Sequence, residues 1–206
     1  MTTVQIDVWS DYVCPFCYLA EPPLAQLEKE EKGAVQIRWR AYELRPEPEP
    51  TLDPRGDYLR DIWARAVYPM AKARGMNLRL PPVQPRSRLA HEAAAFAAEQ
   101  NRASAMPHAI FHAFFEQGAD IGQVEVLVRI AGEIGLDPSA LSAALATGTH
   151  RTRVLDDEAL ALSFGLSGVP AFVVRRAGAD WREGVLVEGA QPYSVIRDAV
   201  EQVRRS

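Results

Sequence analysis

Apolar and polar residues alternate over Val4-Gln5-Ile6-Asp7-Val8-Trp9, the period-two pattern of a half-buried strand. After Cys14-Pro15-Phe16-Cys17 the chain becomes rich in Leu, Ala, Glu and Lys and predicts a helix. Pro22 and Pro23 each remove a backbone donor, so a kink or restart is expected before Leu24-Ala25-Gln26-Leu27-Glu28 resumes the helical period. Gly33 can take the left-handed conformation that closes a helix. Val35 to Tyr42 alternates again. Strand, helix and strand make a βαβ unit, whose strands are parallel by default.

Arg45-Pro46-Glu47-Pro48-Glu49-Pro50 reads as a linker, because its prolines favour extended backbone and cannot sit inside a sheet. From Asp53 to about Thr149 the apolar residues recur at helical spacing, as in Leu59-Ile62-Trp63-Ala66-Val67-Met70 and Val126-Leu127-Ile130-Ile134. Asp53-Pro54, Ser104 and Asp137-Pro138 are the predicted helix starts; Gly75, Gly118 and Gly135 are the predicted stops. A further helix is expected from Thr149 to Phe164, then a strand after Gly168-Val169-Pro170, a hairpin about Gly178, a partner strand over 184–188 and a closing helix from Tyr193. The fold class is α/β, and the expected organisation is a first part over 1–45, an all-helical insertion over 46–149 and a second part over 150–206.

The two cysteines of the chain stand two residues apart at the predicted start of a helix. The first turn of a helix leaves N–H groups unsatisfied and its dipole favours negative charge, so a cysteine there holds its thiolate more easily than one in water. Cys14 is therefore the expected nucleophile, and Cys17, nearly a turn later, the resolving thiol. Pro15 suits the first helical turn, where its missing donor has no partner to lose. Phe16 gives the rim an apolar surface. A structural zinc site needs four ligands, and the histidine nearest in sequence is His91. Metal binding and inert packing are the weaker readings.

Composition narrows the function. Hydrophobic residues at 48% and charged residues at 24% are ordinary for a globular chain. A net charge of −4 gives no support for nucleic-acid binding. All of the 23 basic residues except Lys29, Lys32 and Lys72 are arginine, spread without a basic block. Charges interrupt every apolar stretch before membrane-spanning length, and Met1-Thr2-Thr3 runs straight into the first strand without a signal-peptide pattern. A cytoplasmic location is expected, where a lone cysteine pair is more plausibly catalytic than a structural staple.

Three stretches carry a resemblance: Ser10-Asp11-Tyr12-Val13-Cys14-Pro15-Phe16-Cys17-Tyr18-Leu19, Gly168-Val169-Pro170-Ala171-Phe172-Val173 and Gly189-Ala190-Gln191-Pro192. With the order of elements, they resemble the DsbA-like branch of the thioredoxin superfamily. The nearer match is its FrnE-type members, relatives of 2-hydroxychromene-2-carboxylate isomerase and kappa-class glutathione transferase. The resemblance implies a thioredoxin-like fold with a large helical insertion, and a cis Pro170 packed opposite Cys14. It also implies that the Val169 backbone pairs with an extended substrate. The expected activity is thiol–disulfide exchange with protein or peptide thiols, without a resident cofactor or metal. Glutathione is the candidate co-substrate and a homodimer the candidate assembly. The glutathione-dependent relatives usually carry serine where this chain has Cys14, which favours exchange over the alternative, isomerase or transferase chemistry on a small aromatic compound. A holdase using apolar surface around Phe16 is the non-enzymatic reading.

Other residues invite functional readings. Asp11 is a candidate proton relay to Cys17, and a carboxylate that caps the helix or binds the preceding loop is equally compatible. Trp9 and Tyr12 are candidates for the border of a substrate groove. His108 and His112 stand at metal-pair spacing but lack the glutamate of His-Glu-x-x-His and an evident third ligand.

Overall fold

The computed structural model describes residues 3–205. Among them one mixed sheet has the order β2-β1-β3-β4, built from β1 (Val4–Ser10), β2 (Val35–Ala41), β3 (Ala171–Arg176) and β4 (Val185–Glu188). β1 runs parallel to β2, with Val4 opposite Val35, and antiparallel to β3, with Trp9 opposite Ala171. The crossover from β1 to β2 consists of α1 (Pro15–Leu19) and α2 (Glu21–Glu31). Pro22 and Pro23 cause the expected restart: α2 begins afresh with proline in its first turn.

Between β2 and β3 lie α3 (Asp57–Ile62), a π turn (Trp63–Val67), α4 (Tyr68–Ala73), α5 (Arg88–Glu99), α6 (Ala105–Phe115), α7 (Val124–Glu133), α8 (Pro138–Thr147) and α9 (Arg151–Ser163). The π turn has a local cause. Pro69 has no N–H for the Arg65 carbonyl, and the widened turn absorbs that missing rung. The start predicted at Asp53 shifts to Asp57. Asp53 instead accepts N–H bonds from Arg55 and Gly56 in a turn, with Gly56 at the helix cap. The closing helix is α10 (Tyr193–Arg205).

Two large cores and a smaller one, of Trp9, Ala161, Leu166, Ala171 and Val173, form the interior. One of the large cores packs Val4, Ile6, Val8, Leu24, Leu27, Phe172, Ile196 and Val200 between the sheet, α2 and α10. The other joins Cys17, Tyr18 and Leu19 of α1 to Trp63, Phe96, Phe111, Phe114 and Phe115. Each large side chain so buried contributes up to about 1.5–3 kcal/mol. α1 is thus clamped by the helices that precede β3. Tyr18 lies parallel to Phe111 and Phe115, with ring centroids 5.4 and 5.9 Å away.

A buried ionic network ties the three strands together. Asp7 of β1, fully buried, accepts from Arg40 Nε of β2 at 2.8 Å and from Arg175 Nη2 of β3 at 3.2 Å. Arg40 also meets Asp157 of α9 at 2.6 Å, and Trp9 Nε1 donates to the Asp157 carbonyl at 2.8 Å. Trp9 is therefore a core residue under Trp181, not a groove border. Tyr12 is likewise buried, against His91 and Phe111.

Candidate active site

β1 ends at Ser10, and Asp11 to Val13 turn the chain into α1. Asp11 is fully buried, and its carboxylate holds this turn: Oδ1 accepts from Val13 N at 3.3 Å and Oδ2 from Leu44 N at 2.7 Å. Of the two compatible roles, loop binding is the one seen in its hydrogen bonds. Cys14 caps α1 in extended conformation, with its carbonyl accepting from Cys17 N at 3.1 Å, and Pro15 fills the first helical position.

The two sulfurs have different surroundings. Cys14 retains 5% exposure and its thiol donates to the Val169 carbonyl at 3.6 Å; Cys17 has none and accepts from Asp11 N at 3.4 Å. Burial pushes the Cys17 thiol well above its ordinary value, and the adjacent Cys14 pushes it further. The Asp11 N–H and the Ser10 side chain oppose that shift by favouring the thiolate. The Val169–Pro170 peptide is cis and brings the Val169 carbonyl over Cys14. A second cis peptide, Glu47–Pro48, lies in the linker and has no counterpart in the sequence expectations.

Cys14 opens into a pocket of about 290 Å³. Cys14, Pro15, Phe16, Gly168 and Val169 form one side. Facing them are Leu44, Leu52, Tyr58, Ile62, Trp63 and Pro85, with Arg45 and Gln84 adding polar groups. Sequence reasoning did not single out these facing residues. Leu44 and Leu52 flank a proline-rich stretch with no periodicity to mark them, and Trp63 reads as ordinary core. Neither Trp9 nor Tyr12 borders the pocket.

The model of the DSBA-like thioredoxin domain matches residues 5–201. The chain belongs to the DSBA-like thioredoxin family. This DSBA-like chain is 36% identical over 179 residues to the uncharacterized protein YwbO of Bacillus subtilis (strain 168), covering 84% of this chain and 87% of that one. A probable DsbA oxidoreductase from Streptomyces coelicolor superposes with a TM-score of 0.80 at 25% identity, over 98% of this chain and 91% of the other. The cytosolic disulfide reductase DsbM of Pseudomonas aeruginosa shares the fold at a TM-score of 0.73 and 21% identity, over 98% of this chain and 100% of the other, and has also been solved with GSH.

Among the described residues no group of three or more His, Cys, Asp and Glu is arranged to hold a metal. His108 Nδ1 instead meets Glu21 Oε2 at 2.8 Å, and His112 Nε2 lies 3.8 Å from Glu116 Oε2. No described helix is long and apolar enough to cross a membrane.

Proposed function

We propose that this DSBA-like protein is a cytoplasmic thiol–disulfide oxidoreductase whose reacting groups are Cys14 and Cys17. The observation that carries the reading is the asymmetry of the pair: Cys14 at the mouth of a pocket beneath the Val169 carbonyl, Cys17 sealed behind it. Cys14 thiolate attacks one sulfur of a substrate disulfide, forms a mixed disulfide and expels the other sulfur as thiolate. Cys17 then attacks the Cys14 sulfur, closes the Cys14–Cys17 disulfide and releases the second substrate thiolate. Run backwards, the same steps oxidise a dithiol.

The electrostatics order these steps. Burial and the neighbouring Cys14 charge both keep Cys17 protonated while Cys14 reacts. Once Cys14 is bound in the mixed disulfide its charge is gone, so part of what Cys14 adds to the effect of burial on the Cys17 pKa disappears when Cys17 is needed. Pro15 and Phe16 set the start and apolar rim of α1. Val169 and Pro170 present backbone to an extended substrate, as an added strand would be bound. The apolar walls suit a protein or peptide beside its disulfide; glutathione, bound by DsbM in its structure with GSH, is the smaller candidate partner.

The experiment is covalent trapping. Cys17→Ala should accumulate mixed disulfides through Cys14 with oxidised peptide or glutathione, visible as added mass that reductant removes. A Cys17→Ala protein that forms no adduct contradicts the assignment. Turnover of a small aromatic substrate that requires glutathione and survives loss of Cys17 favours the isomerase or transferase alternative.

A further inference from the structure

Resolution by Cys17 poses a problem that the active-site pocket does not solve. The thiol is fully buried and held protonated, yet it must lose its proton before it can attack. A second cavity, of about 240 Å³, is walled in part by Ser10, Tyr12, Arg38, His91, Arg153 and Asp157. Ser10 therefore borders this cavity while its side chain also favours the Cys17 thiolate. His91, on α5, is 5% exposed, and its Nε2 has no hydrogen-bond partner among the described residues. Asp11 Oδ1 lies 3.7 Å from that nitrogen, within ion-pair range but too long for a hydrogen bond. A buried, unpartnered imidazole nitrogen in a helix core is costly unless something uses it.

We propose that His91 is a positioning residue for the resolving step, taking up the Cys17 proton through the cavity that Ser10 and His91 both line, with Asp11 as its counter-charge, and passing it to solvent. This rests on the exchange reading above. The balance is simple. Cys17–SH attacks Cys14–S–S–R, the Cys17–Cys14 bond forms, the bond to R breaks and R leaves as thiolate. The proton from Cys17 ends on His91 and then in solvent. Asp11 suits the task because its carboxylate, held by Val13 and Leu44 N–H groups, faces the imidazolium that forms. The other charged groups around His91 are partly neutralised among themselves. Glu158 of α9 and Glu43 after β2 share Arg88, one turn before His91 on its own helix, while Asp157 is paired with Arg40 of β2. Arg153 of α9 reaches Glu99 at 3.8 Å, and Arg38 of β2 completes the cationic side of the cavity.

Reaction with Ellman's reagent separates the steps. Attack by Cys14 releases a first thionitrobenzoate, and attack by Cys17 on the resulting mixed disulfide releases a second. His91→Gln is expected to leave the first phase unchanged and slow the second by about a hundredfold, the low end of what a positioned acid–base group contributes. Imidazole added to His91→Ala, entering through the cavity, is expected to restore the second phase. The wild-type second phase should slow in heavy water. Unchanged second phases in both variants overturn the proposal, as does a wild-type second phase indifferent to heavy water, a measurement that needs no variant to fold. Absence of the second phase from the wild type itself refutes the exchange reading instead.

Discussion

Asp7 offers a test of what holds the strands under the active site. Its carboxylate has no solvent and serves two guanidiniums, Arg40 at 2.8 Å and Arg175 at 3.2 Å. Asp7→Asn keeps the shape and removes the charge. Arg40 retains Asp157, but Arg175 is left with the Ala179 carbonyl at 3.0 Å and the face of Trp181 at 4.1 Å. Its Nε already lacks a hydrogen-bond partner among the described residues. Removing one member of a buried pair costs about 3–5 kcal/mol, mostly because the survivor stays buried and uncompensated. For a chain of this size each kcal/mol moves Tm by about 2–4 °C, so the expected drop is roughly 6–20 °C. Urea unfolding followed by circular dichroism gives the free energy, and a second variant gives the cause. Arg175→Met in the Asp7→Asn background removes the stranded charge and should recover at least about 1 kcal/mol. A loss below about 1 kcal/mol for Asp7→Asn, or strictly additive variants, refutes the reasoning.

Two further perturbations follow from the same geometry. Arg74 donates to the Leu19 carbonyl at the end of α1 and to the Ala190 carbonyl at 2.7 Å, so Arg74→Ala should cost about 1.5–3 kcal/mol in urea unfolding; a change within about 0.5 kcal/mol would mean water replaces it freely. Burial, then the charge of Glu43, raises the Glu158 carboxyl to about 7. Because the folded value lies above the unfolded one, this group's contribution to stability is fully present below about pH 4 and is lost as pH rises through about 7. The urea midpoint of wild type relative to Glu158→Gln should therefore fall between about pH 5 and 8, and a constant difference contradicts it.

Much of this architecture was legible because local chemistry and tertiary need agree. The alternation of β1 and β2, the double proline that restarts α2 and the aspartate–proline start of α8 each act within a few residues. The cysteine pair was legible for the same reason. What was not legible depends on partners distant in sequence. Asp11 looks like any helix-proximal carboxylate until Leu44, thirty-three residues on, donates to it. Asp53 looks like a helix cap, but its oxygens are taken up by a turn. The wall facing Cys14 comes from the edges of a linker, which has no hydrophobic period to read, and from the segment around Trp63, whose period marks it as helix but not as pocket. His91 falls on the apolar face of α5, where an imidazole is indistinguishable from core until its neighbours are known.

The exchange account is tested most directly by dithiothreitol-driven reduction of insulin, followed as turbidity. The wild-type protein should accelerate precipitation, and Cys14→Ser, which keeps α1 and the pocket intact, should reduce the rate to that of dithiothreitol alone. Wild-type acceleration by Cys14→Ser would contradict the account.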